Sequence, residues 1–260
     1  MKTWMRQISA LTRLAILDLY RRKDLIVVIV LSLVILFPLA FFTPFGISGA
    51  NRYLNELALL LIWLFSTVIG IGVAARLFPP EYESRTLFPL LSKPVGRGTL
   101  LFGKYLGALT ASVSALFVFY LVFSVLLGIR QSLWFPQIIV QAFVLHIGYL
   151  MVISAMALLG SLLMTMSANL TVCGLLIVSM LLFGQRLPHL IEAQPIPGKW
   201  FLVLIYWLGP HLEFFDLRQR VVHGWPCIGW HVCGCVLLYA VCYTTLCLAL
   251  AGWAFRVKRI

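Results

Sequence analysis

The chain has 260 residues, 62% of them hydrophobic and only 11% charged, with a formal net charge of +12. A soluble domain carries about 25% charged residues, so none of ordinary composition fits here. Lys and Arg flank long apolar stretches instead of forming one solvated face, which argues against a nucleic-acid partner and for membrane topology with attraction to anionic lipid.

Residues 1–24 precede the first apolar stretch. Trp4, Ile8, Leu11 and Ala15 recur at helical spacing with Arg6 and Arg13 off that stripe, which predicts an amphipathic helix lying along the membrane surface. A basic tail with chance spacing is the alternative. The apolar run from Leu25 is as long as a full span, whereas a signal-peptide core has roughly 7–15 residues, so no removable signal is expected.

Uncharged gaps run over 25–51, 57–75, 105–129, 131–185 and 221–255. A helix rises about 1.5 Å per residue through about 30 Å of hydrocarbon, so roughly 20 residues make a span and the 131–185 gap must hold two. The expectation is an all-α polytopic protein, one transmembrane domain over 1–260. Its six spans fall near 25–42, 57–75, 105–127, 136–164, 170–183 and 231–255.

Between the second and third spans lies a charged island, Arg76 to Lys104. Pro79-Pro80 stops the second span, and Glu81 and Glu83 follow where acids complement the positive end of a helix dipole. Over 81–91, Leu87, Leu90 and Leu91 share one side and Glu81, Ser84 and Arg85 lie elsewhere, which predicts a short amphipathic helix ended by Ser92-Lys93-Pro94. With the basic residues Lys93, Arg97 and Lys104 it could sit partly in a partner's groove and partly against headgroups; an ordinary charged loop is the other reading. Gly98 to Lys104 matches a phosphate-binding GxxxxGK, but Tyr105 stands where Ser or Thr should hold magnesium and no strand precedes it, so no nucleotide is expected there.

In the third span Gly103, Gly107, Ala111 and Ala115 recur every four residues, a stripe that lets another helix approach closely, whether as a sliding contact or as static packing. Polar residues within the later spans are few. Gln141, His146, Ser154 and Asn169 are pathway candidates, because intramembrane polar groups face protein or water. A lone His such as His146 more often hydrogen-bonds a neighbouring helix than binds substrate.

From 185 to 230 the chain does not span. The apolar run 200–208 is too short to cross, and Gly209-Pro210 turns into a segment where Leu212, Phe215 and Val222 share a face beside Phe214 and Val221. That predicts an extracytoplasmic cap of re-entrant or interfacial helices. His223, Cys227, His231 and Cys235 recur every fourth residue, a ligand-like spacing on one helix, but Pro226, Gly229 and Gly234 interrupt it, so no metal is expected.

Orientation follows from basic residues. With the N-terminus inside, fourteen of the twenty Lys and Arg are cytoplasmic against four acids, leaving +10; six against four acids remain outside, leaving +2. Both termini are expected in the cytoplasm of a cell whose inner membrane holds the chain.

The string from Glu81 to Lys104 resembles the loop after the second of six spans in bacterial ABC-transporter permeases of the ABC type 2 export class. The matching positions are Glu81, Glu83, Thr86, Leu87, Leu90, Leu91, Ser92, Pro94, Val95, Arg97, Gly103 and Lys104. Arg85 stands where many members carry Gly, and in this the chain looks more like the membrane subunit of the exporter serving nitrous-oxide-reductase maturation.

The resemblance implies that 79–98 holds a coupling helix, with Glu81, Glu83 and Arg85 contacting a separate ABC ATP-binding subunit and Leu87, Leu90 and Leu91 tying the helix to the spans. ATP and magnesium would sit on that partner, not on this chain, which would be a transport subunit and no enzyme. It further implies a second permease copy or similar permease, and an outer gate between the fifth and sixth spans. A secondary transporter or an integral membrane enzyme stays open as the alternative. The former lacks an intramembrane carboxylate, and the latter has only scattered Ser, His and Cys.

Overall fold

In hydrocarbon each backbone amide must find its partner inside the chain, and long apolar runs meet that demand as helices. The computed structural model describes residues 50–83, 96–134, 136–183 and 209–257, together with 6, 9, 10, 12–14, 16, 17, 26, 30, 34, 199, 200 and 203. All regular structure among the described residues is helical.

Helix α1 (Ala50–Ala75) stops short of Pro79 and Pro80, which have no amide to donate. After a turn at 76–78 the chain restarts as α2 (Pro79–Glu83), whose Glu81 and Tyr82 amides both donate to the Phe78 carbonyl, at 3.0 and 3.1 Å. Proline suits this first turn, where its missing donor is not needed.

Helix α3 (Arg97–Gln131) starts two turns before the predicted span, so the basic residues Arg97 and Lys104 sit on a helix and not in a loop. At about 1.5 Å per residue it is about 50 Å long, more than the hydrocarbon needs. It ends at Ser132, held at a left-handed φ of 56° with its amide on the Gly128 carbonyl at 3.1 Å. The chain then folds Trp134 back over Gly128, where a Cβ would stand 2.6 Å from the indole.

Helix α4 (Gln137–Leu163) is the centre of the bundle and packs against α1, α3, α5 and α7. It is apolar all round, as a buried helix should be. A two-residue link joins it to α5 (Met166–Phe183), with the Met164 amide on the Gly160 carbonyl and the Asn169 amide on the Thr165 carbonyl, both at 2.9 Å. Past the 3-10 turn Leu212–Phe215 and the short α6 (Arg218–His223), α7 (Trp230–Val257) lies at the periphery. It buries a narrow stripe of Cys233, Ala240, Thr244, Cys247, Ala251 and Phe255, spaced to share one face.

Among the described residues four helices, α1, α3, α4 and α7, are long and apolar enough to cross a membrane, and α5 is apolar but shorter. The second to sixth predicted spans coincide with these five. The first, 25–42, lies outside the described residues except for Ile26, Val30 and Val34, which are helical and exposed. Of the N-terminal stripe, Trp4, Ile8, Leu11 and Ala15 are likewise outside them. The described residues there are helical, and Thr12 donates to the Gly103 carbonyl of α3 at 3.2 Å.

Asn169 fills the space that the missing side chain of Gly160 leaves, and a Cβ there would stand 2.0 Å from its Oδ1. Asn169 Nδ2 donates to the Ala157 carbonyl at 2.8 Å, and Cys173 donates to Asn169 Oδ1 at 3.2 Å. Gly160→Ala should therefore cost about 1–3 kcal/mol by overpacking, and Asn169→Ala about 1 kcal/mol for lost hydrogen bonds. The double variant should lose less than the sum, since removing Asn169 makes room for the methyl. Thermal unfolding in detergent measures this, and simple additivity would show that the two positions do not share the space.

Candidate functional site

The joint between α1, α2 and α3 is built around one cation. Lys104, two turns into α3, is only 7% exposed. Its ammonium donates to the Leu77 carbonyl at 2.8 Å, forms an ion pair with Glu81 of α2, and lies 4.5 Å from the centre of the Phe78 ring. Phe78 is itself fully buried and contacts Phe255 near the end of α7, with ring centres 5.5 Å apart. Arg97, in the first turn of α3, donates to the carbonyls of Phe255 and Arg256 at 3.2 and 3.3 Å and passes over the Phe255 ring. A cation on the last carbonyls of a helix also complements the negative end of its dipole. One salt bridge thus binds α2 to α3, one ring contact binds the turn before α2 to α7, and one cap binds α3 to α7.

This geometry disposes of the GxxxxGK string as a phosphate cradle. Gly98 to Lys104 lies inside the first two turns of continuous helix, and the lysine is buried against Leu77 and Glu81. Of the residues assigned to partner contact, Glu81 is engaged within the chain and Glu83 ends α2. Arg85, Leu87, Leu90 and Leu91 lie outside the described residues. The small residues Gly103, Gly107, Ala111 and Ala115 are all buried within this single chain, so their close neighbours are supplied by the same molecule.

The pathway candidates are also occupied locally. Gln141 exchanges two hydrogen bonds with the Ile228 backbone, at 2.7 and 3.1 Å, and so pins the entry to α7 onto α4. His146 Nε2 is 2.7 Å from the Ser66 hydroxyl, and its other nitrogen is 3.3 Å from Tyr120. Its ring lies 4.7 Å from Trp63, whose ring is tilted against Tyr149 with centres 4.2 Å apart, and Tyr149 bonds Thr67 at 2.7 Å. Asn169 is committed to α4, and Ser154 is the exception, buried with no hydrogen-bond partner among the described residues.

At the far end of the bundle the 212–223 segment is seated on α1 and α4. Leu212, Phe215, Leu217 and Val222 are buried, and Phe215 rests where Gly148 has no side chain, a Cβ there coming within 2.9 Å of the ring. The segment is not one helix: Asp216 is extended, and its carboxylate accepts from both the Arg218 amide at 2.9 Å and the Arg218 guanidinium at 2.7 Å. Leu212, Phe215 and Val222 are buried as the sequence predicts, and Phe214, placed beside that face, is half exposed. Arg218 lies 5.1 Å over Trp63. Desolvation pulls its pKa down, but Asp216 outweighs that and leaves it above its ordinary value. Burial raises the Glu213 carboxyl, with His211 opposing.

His223 closes α6, Gly224 reverses the chain at φ 64°, and α7 begins only at Trp230, so the His and Cys repeat is split between two helices and a link. All six cysteines are free thiols, and no group of three metal-ligating side chains occurs among the described residues. Sequence reading missed the Lys104 and Arg218 pairings. The Asp-x-Arg spacing of 216–218 is a local turn signal that could have revealed the second; the first spans 23 residues of sequence and has no local signal.

Residues 12–258 match the family described as ABC-2 family transporter protein, and the chain belongs to it. It is therefore the membrane subunit of an ABC transporter, a multi-pass membrane protein with a transport role, and membership implies association with an ATP-binding subunit. A search of the curated proteins gives no match.

The Lys104 site predicts unequal losses. Glu81→Ala takes the paired carboxylate from a buried ammonium and should cost about 1–3 kcal/mol, whereas Lys104→Met leaves a partly exposed carboxylate that can turn to water and should cost less. Thermal unfolding of both single variants and the double variant measures the coupling. Equal, additive losses would show that the pair contributes nothing beyond its separate side chains.

Proposed function

We propose that this chain forms half of the membrane domain of an ATP-driven exporter. It works as a dimer, with a second copy or a similar permease, and is driven by two separate ATP-binding subunits that carry ATP and magnesium. The coupling helix comprises α2 and the residues that follow it to Leu91, with Glu83 and Arg85 offered to the ATPase. The observation that carries this reading is the joint around Lys104. A push on α2 would pass to α3 through the Glu81 ion pair and to α7 through Phe78 and Phe255, while Arg97 keeps α3 and α7 in step.

Gln141, His146 and Asn169 spend their hydrogen bonds inside the chain, which supports a pathway between two permeases in preference to one through a single bundle. The 212–223 segment, seated by Phe215 and Arg218, would be the outer gate. Arg85 in place of the commoner glycine supports grouping the chain with the membrane subunits of exporters serving nitrous-oxide-reductase maturation. The excess of basic residues at the α2 end supports cytoplasmic termini in a bacterial inner membrane.

Two experiments test this. A cysteine at Lys2 or Lys258 should resist an impermeant thiol reagent in intact cells while one at His223 reacts; labelling at Lys2 or Lys258 would overturn the topology. Glu83→Lys sets a like charge against a basic groove, where breaking an interfacial charge pair costs about 2–5 kcal/mol. The variant should insert normally yet lose its ATP-binding partner in pull-down and lose transport. Unchanged co-purification and ATP turnover in both Glu83→Lys and Arg85→Glu would move the assignment toward a transporter without an ATPase.

A further inference from the structure

At the end of the bundle opposite α2, a cavity of about 230 Å³ is lined by Glu56, Leu60, Asp216, Arg218, Gln219 and Val222. Glu56 and Leu60 are exposed, so the cavity opens at the surface of α1. Its charges are unevenly spent. Asp216 is neutralised by the Nε and Nη2 groups of Arg218. Glu56 makes no hydrogen bond or ion pair among the described residues, and neither does Nη1 of Arg218. The wall therefore offers a free carboxylate to a cation and one edge of a guanidinium to an anion, with a net charge of −1 from two acids and one base.

Directly below the cavity the same face of α1 continues as Leu60, Leu64 and Val68, each four residues on from the last after Glu56, with exposures of 45%, 52% and 50%. This spacing stacks them in a strip along the helix. A polar pocket for both signs of charge thus sits at the head of an apolar track. We propose that this is a binding site for an aminophospholipid of the ethanolamine type. Its ammonium is held by Glu56, its phosphate by Nη1 of Arg218 with Gln219, and an acyl chain lies along Leu60, Leu64 and Val68.

The chemistry separates this headgroup from its neighbours. A glycerol headgroup leaves Glu56 facing a net anion with no cation between them. A choline headgroup has no N–H to donate, so it forfeits the charge-assisted hydrogen bond that an ammonium makes to a carboxylate. Soluble phosphoethanolamine has the charges but nothing to lay on the leucine strip. Such a lipid would bind whether or not the chain couples to an ATPase, so failure here leaves the transport reading standing, and the reverse.

The test uses the purified full chain, delipidated in detergent, with equimolar ethanolamine, choline and glycerol phospholipids of matched acyl chains, read by native mass spectrometry. The ethanolamine lipid should be retained about tenfold better than the other two, the effect of one charge-assisted hydrogen bond. Glu56→Gln should abolish that preference, and Leu64→Asn should weaken all three lipids, with thermal unfolding confirming that both variants fold. Equal retention of the three lipids, a preference that survives Glu56→Gln, or displacement by soluble phosphoethanolamine at matched concentration would each overturn the proposal. So would oxidative cross-linking of Leu64→Cys above the background of the native cysteines, since a second copy would then cover the strip.

Discussion

Between helices that are apolar all round, lipid is as good a neighbour as another helix, so the bundle is held by close packing and by a small number of buried hydrogen bonds. Those bonds converge on α4. Ser66 and Thr67 tie α1 to it through His146 and Tyr149; Tyr105 and Tyr120 tie α3 to it through the Met151 carbonyl and His146. Asn169 ties α5, and Gln141 ties the entry to α7. Each such bond contributes about 1 kcal/mol, little by itself. Directed at one central helix, they specify which neighbours α4 takes and at what height. Gly148 and Gly160 serve the same end by admitting Phe215 and Asn169 into contact with its backbone.

Helix α7 is fastened in another way. Its buried stripe is mostly small residues, with Arg97 on the Phe255 and Arg256 carbonyls at its last turn and Tyr239, a third of the way along, accepting the His211 amide. The Arg97 tie places the last turn of this helix at the joint that contains α2.

The spans were legible because charge-free gaps of membrane length survive in the sequence, and the helices follow those gaps closely. What the gaps could not show is how far a helix continues beyond the hydrocarbon. Helix α3 runs back to Arg97 because nothing between Arg97 and Lys104 breaks it, and a basic stretch outside the bilayer is as helical as an apolar one inside. The polar residues of the spans were legible as residues: such groups attract attention equally whether they line a channel or fasten two helices, and their partners, far apart in sequence, were not legible. The apolar face of Leu212, Phe215 and Val222 was legible from spacing, although an extended residue at Asp216 divides the segment into a 3-10 turn and a short helix.

The Lys104 joint follows from the two prolines that were read only as a stop signal. With no amide at Pro79 or Pro80, the carbonyls at the end of α1 lose the donors that would continue the helix. The next two amides, of Glu81 and Tyr82, are both taken by Phe78, which leaves the Leu77 carbonyl unclaimed in a buried place. An unpaired buried carbonyl costs about 1–3 kcal/mol, and Lys104 supplies the missing donor. Bringing an ammonium into that site then requires a carboxylate, and Glu81, two residues into the restarted helix, is positioned by the same prolines to provide it. The break in α1 therefore creates both the need for a cation from α3 and the acid that holds it, so α2 cannot turn away from α1 without dragging α3 along.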